Sequence, residues 1–159
     1  MTGPPPQPTR DHAKSVAVDL YVLRGHDGFS FADLAAATAT SRANIHHHFG
    51  SKRRLMAELI DGFAADAQAR IERIWMAPDA GLAARLSGQL EDLRGFYLRY
   101  NPAPGDRNLW SPLARLRLDL PVLGDLAAHA LERVDRTYDR ASLPRARHPR
   151  PAPAAGGVA

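Results

Sequence analysis

Apolar residues recur every three or four positions along most of the chain, and this spacing predicts a protein built of α-helices. Such intervals place side chains on one face of a helix. The sequence contains no segment that alternates β-branched and polar residues as a surface strand does. The predicted fold class is therefore all-α. The clearest run of this spacing comprises Leu55, Leu59, Phe63, Ala67, Ile71 and Ile74.

Two helices are predicted near the N-terminus from residues that typically start and end helices. The first is predicted from Asp11 to Arg24 and ends at Gly25, which tolerates a left-handed backbone. Ser30 opens the second, because its hydroxyl can accept a hydrogen bond from the amide of Asp33. The Asp33 carboxylate can reach back to Ser30, which completes an approximate capping box.

A third short helix and a long fourth helix are predicted to meet at Gly50. Either Thr40 or Ser41 can cap the third helix, and Gly50 ends it. Ser51 then caps the fourth helix, which continues until Pro78 breaks the pattern.

Three further helical patterns follow Pro78. The loop at 101–106 closes the first of them, and a shorter helix then runs up to Pro121. The last is predicted from Val122 to about Ala141. The first pattern carries its apolar residues at Leu82, Leu86, Leu90, Leu93, Tyr97 and Tyr100.

The second and third helices have the spacing of a helix-turn-helix. This motif needs a small residue in its first helix, a tight turn four residues later and a buried aliphatic residue six residues beyond the turn. Ala35, Ala39 and Ile45 occupy these positions, and Leu34 and Phe49 complete a small core. The turn usually takes glycine because its backbone is left-handed, so alanine there costs about 1 to 2 kcal/mol.

The stretch from about Arg10 to Ile60 resembles the tetracycline-repressor (TetR/AcrR) family of bacterial transcriptional regulators. Segments 31–35 and 40–52 carry the resemblance. Family members show a Tyr-x-His-Phe signature followed three residues later by lysine. This chain keeps the last three of those residues and has histidine at position 46 in place of tyrosine; the four residues are His46, His48, Phe49 and Lys52.

The resemblance implies that the third helix reads DNA. Arginine pairs with guanine through two hydrogen bonds and asparagine pairs likewise with adenine, so Arg42 and Asn44 are the predicted base readers. His46 and His47 are predicted to contact phosphates or bases, and Lys52 a phosphate. The second helix is expected to lie beside the DNA backbone at its start. The remaining predicted contact residues are Ser30, Phe31, Ala32, Ser41 and Ala43.

Each predicted contact also has an ordinary structural interpretation. The basic residues Arg42, Lys52, Arg53 and Arg54 are together typical of a solvated face, and His48 of a structural histidine beside the core. The net charge of +4 suits a polyanionic partner. Several arginines near the C-terminus supply part of that charge, so it is weak evidence for DNA. We expect double-stranded DNA with a palindromic operator as the partner.

Other kinds of site find little support. Three consecutive histidines point about 100° apart on a helix and cannot jointly hold one ion, so no metal is predicted. The sequence has no cysteine, no glycine-rich phosphate loop and no nucleophile elbow, so neither a cofactor nor an enzyme is predicted. No apolar run approaches the length of a membrane span, and no signal region is found. A cytoplasmic protein is expected.

The resemblance implies a C-terminal body that binds an effector and forms dimers. Tyr97, Tyr100, Trp110 and Arg115 combine aromatic surface with polar tips and are the candidate pocket for an unknown small molecule. Ordinary core or interface residues would look the same. The body contains fewer helices than the family usually has, which leaves open whether the C-terminus is divergent or truncated.

The last predicted helix has more apolar residues than one short neighbour covers. An uncovered stripe of this kind marks an interface, so this helix is predicted to pack against its symmetry mate in a homodimer. The stripe comprises Leu123, Leu126, Ala130, Leu131, Val134 and Tyr138.

The predicted organisation has four parts. Residues 1–10 form a flexible arm, 11–62 the helix-turn-helix domain and 63–141 the effector-binding and dimerisation body. Residues 142–159 are rich in proline, alanine and arginine and are predicted to be disordered. A ligand-responsive repressor is the leading interpretation. The alternatives are a helical protein-interaction module, or a degenerate regulator that does not dimerise, and a small all-α enzyme.

Overall fold

A computed structural model describes residues 9–103, 105–106 and 111–142. Within these ranges the chain forms eight α-helices and no strand, which confirms the all-α prediction. The predicted tail from 143 onward, Trp110 and the first eight residues of the predicted arm lie outside the described ranges. The helices are α1 (Arg10–Arg24), α2 (Phe31–Ala37), α3 (Arg42–Phe49), α4 (Lys52–Trp75), α5 (Leu82–Tyr100), α6 (Pro112–Leu118), α7 (Leu120–Leu123) and α8 (Asp125–Ser142).

Side-chain caps start each of the first four helices. The Thr9 hydroxyl accepts from the amide of His12 at 3.2 Å, which begins α1 one residue earlier than predicted and shortens the arm. Ser30, Ser41 and Ser51 cap α2, α3 and α4 in the same way. These caps satisfy amides that a helix leaves unpaired at its N-terminus.

Helices α1, α2, α3 and the start of α4 surround one dense core, and we call this region the head. Ile45 and Leu34 have no exposed surface, and Phe49 is 1% exposed. Tyr21 of α1 stacks on Phe63 of α4 with ring centroids 5.7 Å apart, which carries the core up into the rest of the molecule.

Helix α8 packs along α4, and its apolar stripe is covered within the chain. Val134 is 1% exposed and Leu131 7%, and the amide of Gln68 on α4 donates to the hydroxyl of Thr137 at 3.0 Å. The prediction that this stripe is free for a symmetry mate is therefore wrong. The neighbour of α8 is the long helix α4 rather than a short helix, and the 24 residues of α4 extend along its whole length.

Helix α5 has the opposite character, because its outward face is apolar. Tyr100 is its one buried residue. The other large apolar positions of the pattern lie on the surface rather than in the core. Their exposed fractions are 67% for Leu82, 47% for Leu86, 66% for Leu90, 54% for Leu93 and 50% for Tyr97.

The end of the described chain differs from the prediction in three places. Pro121 lies in the first turn of α7, where it needs no backbone donor, instead of ending a helix. Gly124, with φ of 54°, separates α7 from α8, so the last helix starts at Asp125 and not at Val122. Ser142, predicted in the tail, closes α8. None of the described helices is long and apolar enough to cross a membrane.

Candidate nucleic-acid interface

The turn between α2 and α3 has the left-handed residue that the sequence predicts. Ala39 has φ of 51°, and the next amide, of Thr40, donates back to the carbonyl of Ala35 at 3.0 Å. The buried hydroxyl of Thr38 donates to the carbonyl of Leu34 at 2.7 Å. These bonds satisfy the last carbonyls of α2 and fix the angle at which α3 leaves the turn.

The first residues of α3 are presented to solvent. Ser41, Arg42 and Ala43 are exposed, as are His46 and His47 one turn later, while Ile45 between them is fully buried. One face of α3 is thus fixed in the core, and the opposite face is available. A helix held in this way can enter the major groove with its N-terminal side chains against base edges.

Asn44 is less available than its neighbour Arg42. Its side chain is half-buried, and its amide nitrogen donates to the Thr40 hydroxyl at 3.0 Å. The predicted two-bond contact with adenine would need the amide nitrogen as donor. Asn44 would therefore have to give up or share the bond to Thr40 on binding DNA.

The three histidines occupy three different environments. The His46 ring meets Phe31 edge-on at 4.8 Å, and its Nδ1 lies 3.1 Å from the carbonyl oxygen of Gly50. His47 is exposed, whereas His48 is half-buried next to Phe49. Among the described residues, no group of three histidine, cysteine or carboxylate side chains is placed to hold a metal ion.

Lys52 holds the loop between α1 and α2. Its ammonium group donates to the carbonyl of Phe29 at 2.6 Å and to that of His26, and it lies 4.8 Å from the centre of the Phe29 ring. An ammonium group has three donors, so one remains for the predicted phosphate contact. The sequence did not indicate this structural role, because the partners are backbone carbonyls 23 and 26 positions away.

The start of α2 combines one residue fixed in the core with two at the surface. Phe31 is 5% exposed, so its side chain is part of the core and is not available to DNA. Ala32 is exposed. The Ser30 amide donates to the Asp33 carboxylate at 2.7 Å, which confirms the predicted capping box. Hydrogen bonds from the Ser30 hydroxyl and amide lower the pKa of Asp33.

The predicted effector residues do not form one group. Tyr100 lines a cleft between α1, α4, α5 and α6. Tyr97 is exposed and lies outside that lining. Arg115 instead donates to the carbonyls of Val22 and Leu23 at the end of α1, at 3.1 and 3.3 Å. The fourth predicted residue, Trp110, lies outside the described residues.

The head is fastened to the rest of the chain, which we call the body, by polar contacts that sequence reasoning missed. Asp119 accepts from the amide of His26 at 2.8 Å, beside the two bonds of Arg115. On the other side of α1, Asp19 accepts from Arg99 at 2.8 Å and from the hydroxyl of Tyr100 at 3.3 Å. These pairs are 80 or more positions apart in the sequence, so no local pattern reveals them.

Comparison with known proteins places the head in a known class. Residues 15–59 match the family of bacterial regulatory proteins of the tetR type. No curated protein sequence matches the chain. Two solved structures share the fold over 80% of the chain: Escherichia coli NemR in its reduced form, at 15% identity and TM-score 0.62, and a TetR-family transcriptional regulator from Agrobacterium tumefaciens, at 25% identity and TM-score 0.56.

The geometry of α2, the turn and α3 defines a helix-turn-helix protein. The match over residues 15–59 and the likeness to the Agrobacterium protein confirm the resemblance of this region to the TetR family that was drawn from the sequence. The chain spans 64% of the length of each of the two solved proteins.

Proposed function

We propose that this protein is a transcriptional regulator that binds a specific DNA sequence through α3. The observation that carries the proposal is the exposure of Ser41, Arg42 and Ala43 at the start of a helix whose other face is locked by Ile45 and Phe49. Such a helix fits the major groove without rearrangement of the head.

Within this function, the contact residues divide by the kind of contact that their positions allow. Arg42 is the main base reader, with Asn44 as a second reader once it turns from Thr40. We assign His46 and His47 to phosphates or bases. Lys52 contributes through its remaining donor, and Ser30, Ala32, Ser41 and Ala43 lie where they can approach the DNA backbone. Phe31 is buried and packs against His46 of α3.

We further propose a ligand-responsive repressor that acts in the bacterial cytoplasm and catalyses no reaction. The support is the match of residues 15–59 to the tetR family together with a cleft of about 310 Å³ that both the head and the body line. A molecule in that cleft would contact the DNA-binding region and the body at once. Repression rather than activation rests on the likeness to the family.

A palindromic operator requires two heads about 34 Å apart, so we propose a homodimer, and α5 is its best-supported surface. Leu86, Leu90, Leu93 and Tyr97 are all about half exposed or more and follow one another at steps of four, three and four. This is the spacing of a two-helix seam. An antiparallel pairing with a second copy is self-complementary, because Leu90 then meets the partner's Leu93 and Leu86 meets the partner's Tyr97.

The test of DNA reading is selection of bound sequences from a random duplex pool, with wild-type protein, Arg42→Ala and the control Arg136→Ala. Arg136 is an exposed arginine of α8, so its loss changes net charge equally. Wild type should select a palindrome. Arg42→Ala should lose about 1 to 3 kcal/mol of preference at one base pair of each half-site. An unchanged motif with Arg42→Ala would show that α3 does not read DNA through this residue.

A second candidate function is a helical protein-interaction module that does not dimerise on DNA. The exposed leucines of α5 favour it, because they would serve a different protein equally well. Salt dependence separates the two functions. A DNA-binding regulator loses affinity steeply as salt rises because phosphate contacts release counterions, whereas an interaction module shows no sequence-selective DNA binding at any salt concentration.

A further inference from the structure

The cleft at the junction of head and body is lined by side chains from four helices. Lys14 and Val18 come from α1, and Pro112 and Leu113 from α6. Its volume of about 310 Å³ lies at the lower end of the range of small-molecule sites. The remaining lining residues are Leu59, Gly62, Phe63, Asp66, Arg70, Phe96, Arg99 and Tyr100.

The walls of the cleft combine apolar and charged side chains, and its two arginines are already paired. Arg70 donates to Asp92 at 3.2 Å and lies over the Phe96 ring, 4.6 Å from its centre. Arg99 is held by Asp19. Because these guanidinium groups are paired with carboxylates, they shape the cleft more than they attract a charged ligand.

Lys14 is the cation of the lining that remains available. It is half-buried, and among the described residues no carboxylate lies within 4.0 Å of its ammonium group. Asp66, the carboxylate of the lining, is exposed and does not pair with it. A half-buried ammonium group beside phenylalanine and leucine side chains favours an anion attached to an apolar body.

We propose that this cleft binds a small organic carboxylate, with the carboxylate on Lys14 and an aromatic or aliphatic body between Phe63 and Phe96. The proposal names the chemical class of the effector. Only the expected effect of the carboxylate on DNA binding rests on the proposed function. Binding itself is a property of the cleft and can be measured without DNA.

The position of the cleft provides a path to the DNA-binding surface. The ligand would contact α6 at Pro112 and Leu113. Arg115 of α6 and Asp119, the residue after α6, hold the end of α1 and its loop. Lys14 lies on α1 itself. Since coupling between two sites is reciprocal, operator DNA should change carboxylate affinity by the same factor as the carboxylate changes DNA affinity.

The first experiment measures binding to the full chain by isothermal titration calorimetry, with sodium benzoate, phenylacetate and hexanoate as probes. Benzamide and benzylamine serve as neutral and cationic comparators. We expect at least one carboxylate to bind about tenfold more tightly than both comparators. Lys14→Gln should remove that preference and leave benzamide binding unchanged. Arg136→Gln, an equal loss of charge on α8, should bind as wild type does.

A second variant blocks the cleft without changing its charge. A Cβ atom at Gly62 would meet nothing within 4 Å, so Gly62→Leu places its side chain in the cleft. Gly95→Leu is the matched control, because Gly95 also has open space but lies outside the lining. Gly62→Leu should abolish carboxylate binding, and Gly95→Leu should preserve it.

The outcomes separate this inference from the proposed function. If none of the three carboxylates binds, or if binding survives both Lys14→Gln and Gly62→Leu, the cleft is not a carboxylate site, whatever the DNA selection shows. If carboxylates bind as expected but selection from the random duplex pool yields no motif, the carboxylate site is supported and the role in DNA regulation is contradicted. Lys14→Gln removes a half-buried surface charge, so it tests the inference even if Gly62→Leu fails to fold.

Discussion

The head and the body differ in how completely they bury their apolar residues. In the head, α2 has seven residues and buries Phe31, Leu34 and Ala35. In the body, α5 has 19 residues and buries Tyr100 alone. Both helices carry enough apolar residues for a core, so the difference lies in what covers them. The head supplies its own neighbours, whereas α5 has a neighbour on one side.

Helix N-termini are capped throughout the head, whereas in the body Ser111 caps α6 and α5 has no such cap. Side-chain hydroxyls cap the first four helices, whereas α5 begins at Gly81 without a side-chain cap. The head is therefore specified by local sequence signals as well as by packing, and each level supports the other. In the body, α8 depends on α4, and no described part of the chain covers the outward face of α5.

The largest contrast is expected between two leucines of the body that look alike in sequence. Leu131→Asp places a charge where 7% of the residue is exposed, so we expect it to cost more than about 4 kcal/mol and to unfold most of the protein. Leu90→Asp changes a residue that is 66% exposed, so the monomer should stay folded while the dimer is lost. Circular dichroism in urea and analytical ultracentrifugation at micromolar concentration measure the two effects.

This pair also separates α5 from α8 as the dimer surface. Folded monomers of Leu131→Asp would restore α8 as the interface. A dimer that survives Leu90→Asp would exclude the α5 seam. Leu118→Asp is the matched control, because Leu118 is 56% exposed on α6 and lies outside the seam, so it should leave both stability and association unchanged.

Helix caps give the next contrast. Ser41→Ala should destabilise the head by about 1 kcal/mol, because the Asn44 amide loses its acceptor at 3.1 Å. Gly81→Ser in the body should change stability by no more than a few tenths of a kcal/mol, since glycine at this position is nearly as good as a capping residue. Urea unfolding curves provide both values. Equal effects would contradict the view that the head depends more on its local signals.

Sequence reasoning succeeded where the relevant signal is local. The capping box of Ser30 and Asp33, the positive φ of Ala39 and the end of α3 at Gly50 each depend on residues within a few positions. These features determine the shape of the head. They are also why the exposed side of α3 could be predicted at all, since its inner residues follow from the same periodicity.

Sequence reasoning failed where the answer depends on which helix lies opposite. Both α5 and α8 carry apolar residues at helical spacing, yet those of α8 are mostly covered by α4 and those of α5 are mostly exposed. Arg115 has the composition expected of a pocket residue but fastens α1, and Lys52 has that of a phosphate contact but holds a loop. Helical periodicity shows which face of a helix is apolar. It does not show which other helix packs against that face, because long-range packing decides this.

Ala39, in the turn between α2 and α3, has a left-handed backbone that is unfavourable for alanine. Ala39→Gly should stabilise the protein by about 1 kcal/mol, because glycine adopts a φ of 51° without the steric cost of a Cβ atom. The gain is reduced by the larger entropy of glycine in the unfolded chain. Thermal unfolding measures it. A loss of stability would mean that the Ala39 methyl group contributes packing that outweighs the strain.

The smallest expected effect concerns the pH dependence of the α2 cap. The Ser30 hydroxyl and amide hold the pKa of Asp33 below its ordinary value of 3.8 in the folded protein. The folded state therefore favours the ionised carboxylate, and the resulting stability is fully present above pH 3.8 and lost as the pH falls through the folded pKa. Asp33→Asn should remove this component, so the difference in unfolding free energy between wild type and variant should be constant near neutral pH and shrink below pH 3.8. Asp135→Asn, the same substitution on the body's surface, is the control for the lost charge. Urea unfolding at a series of pH values gives the unfolding free energy of all three proteins. If the difference in unfolding free energy between wild type and Asp33→Asn stays constant down to acid pH, the capping box does not depend on the charge of Asp33.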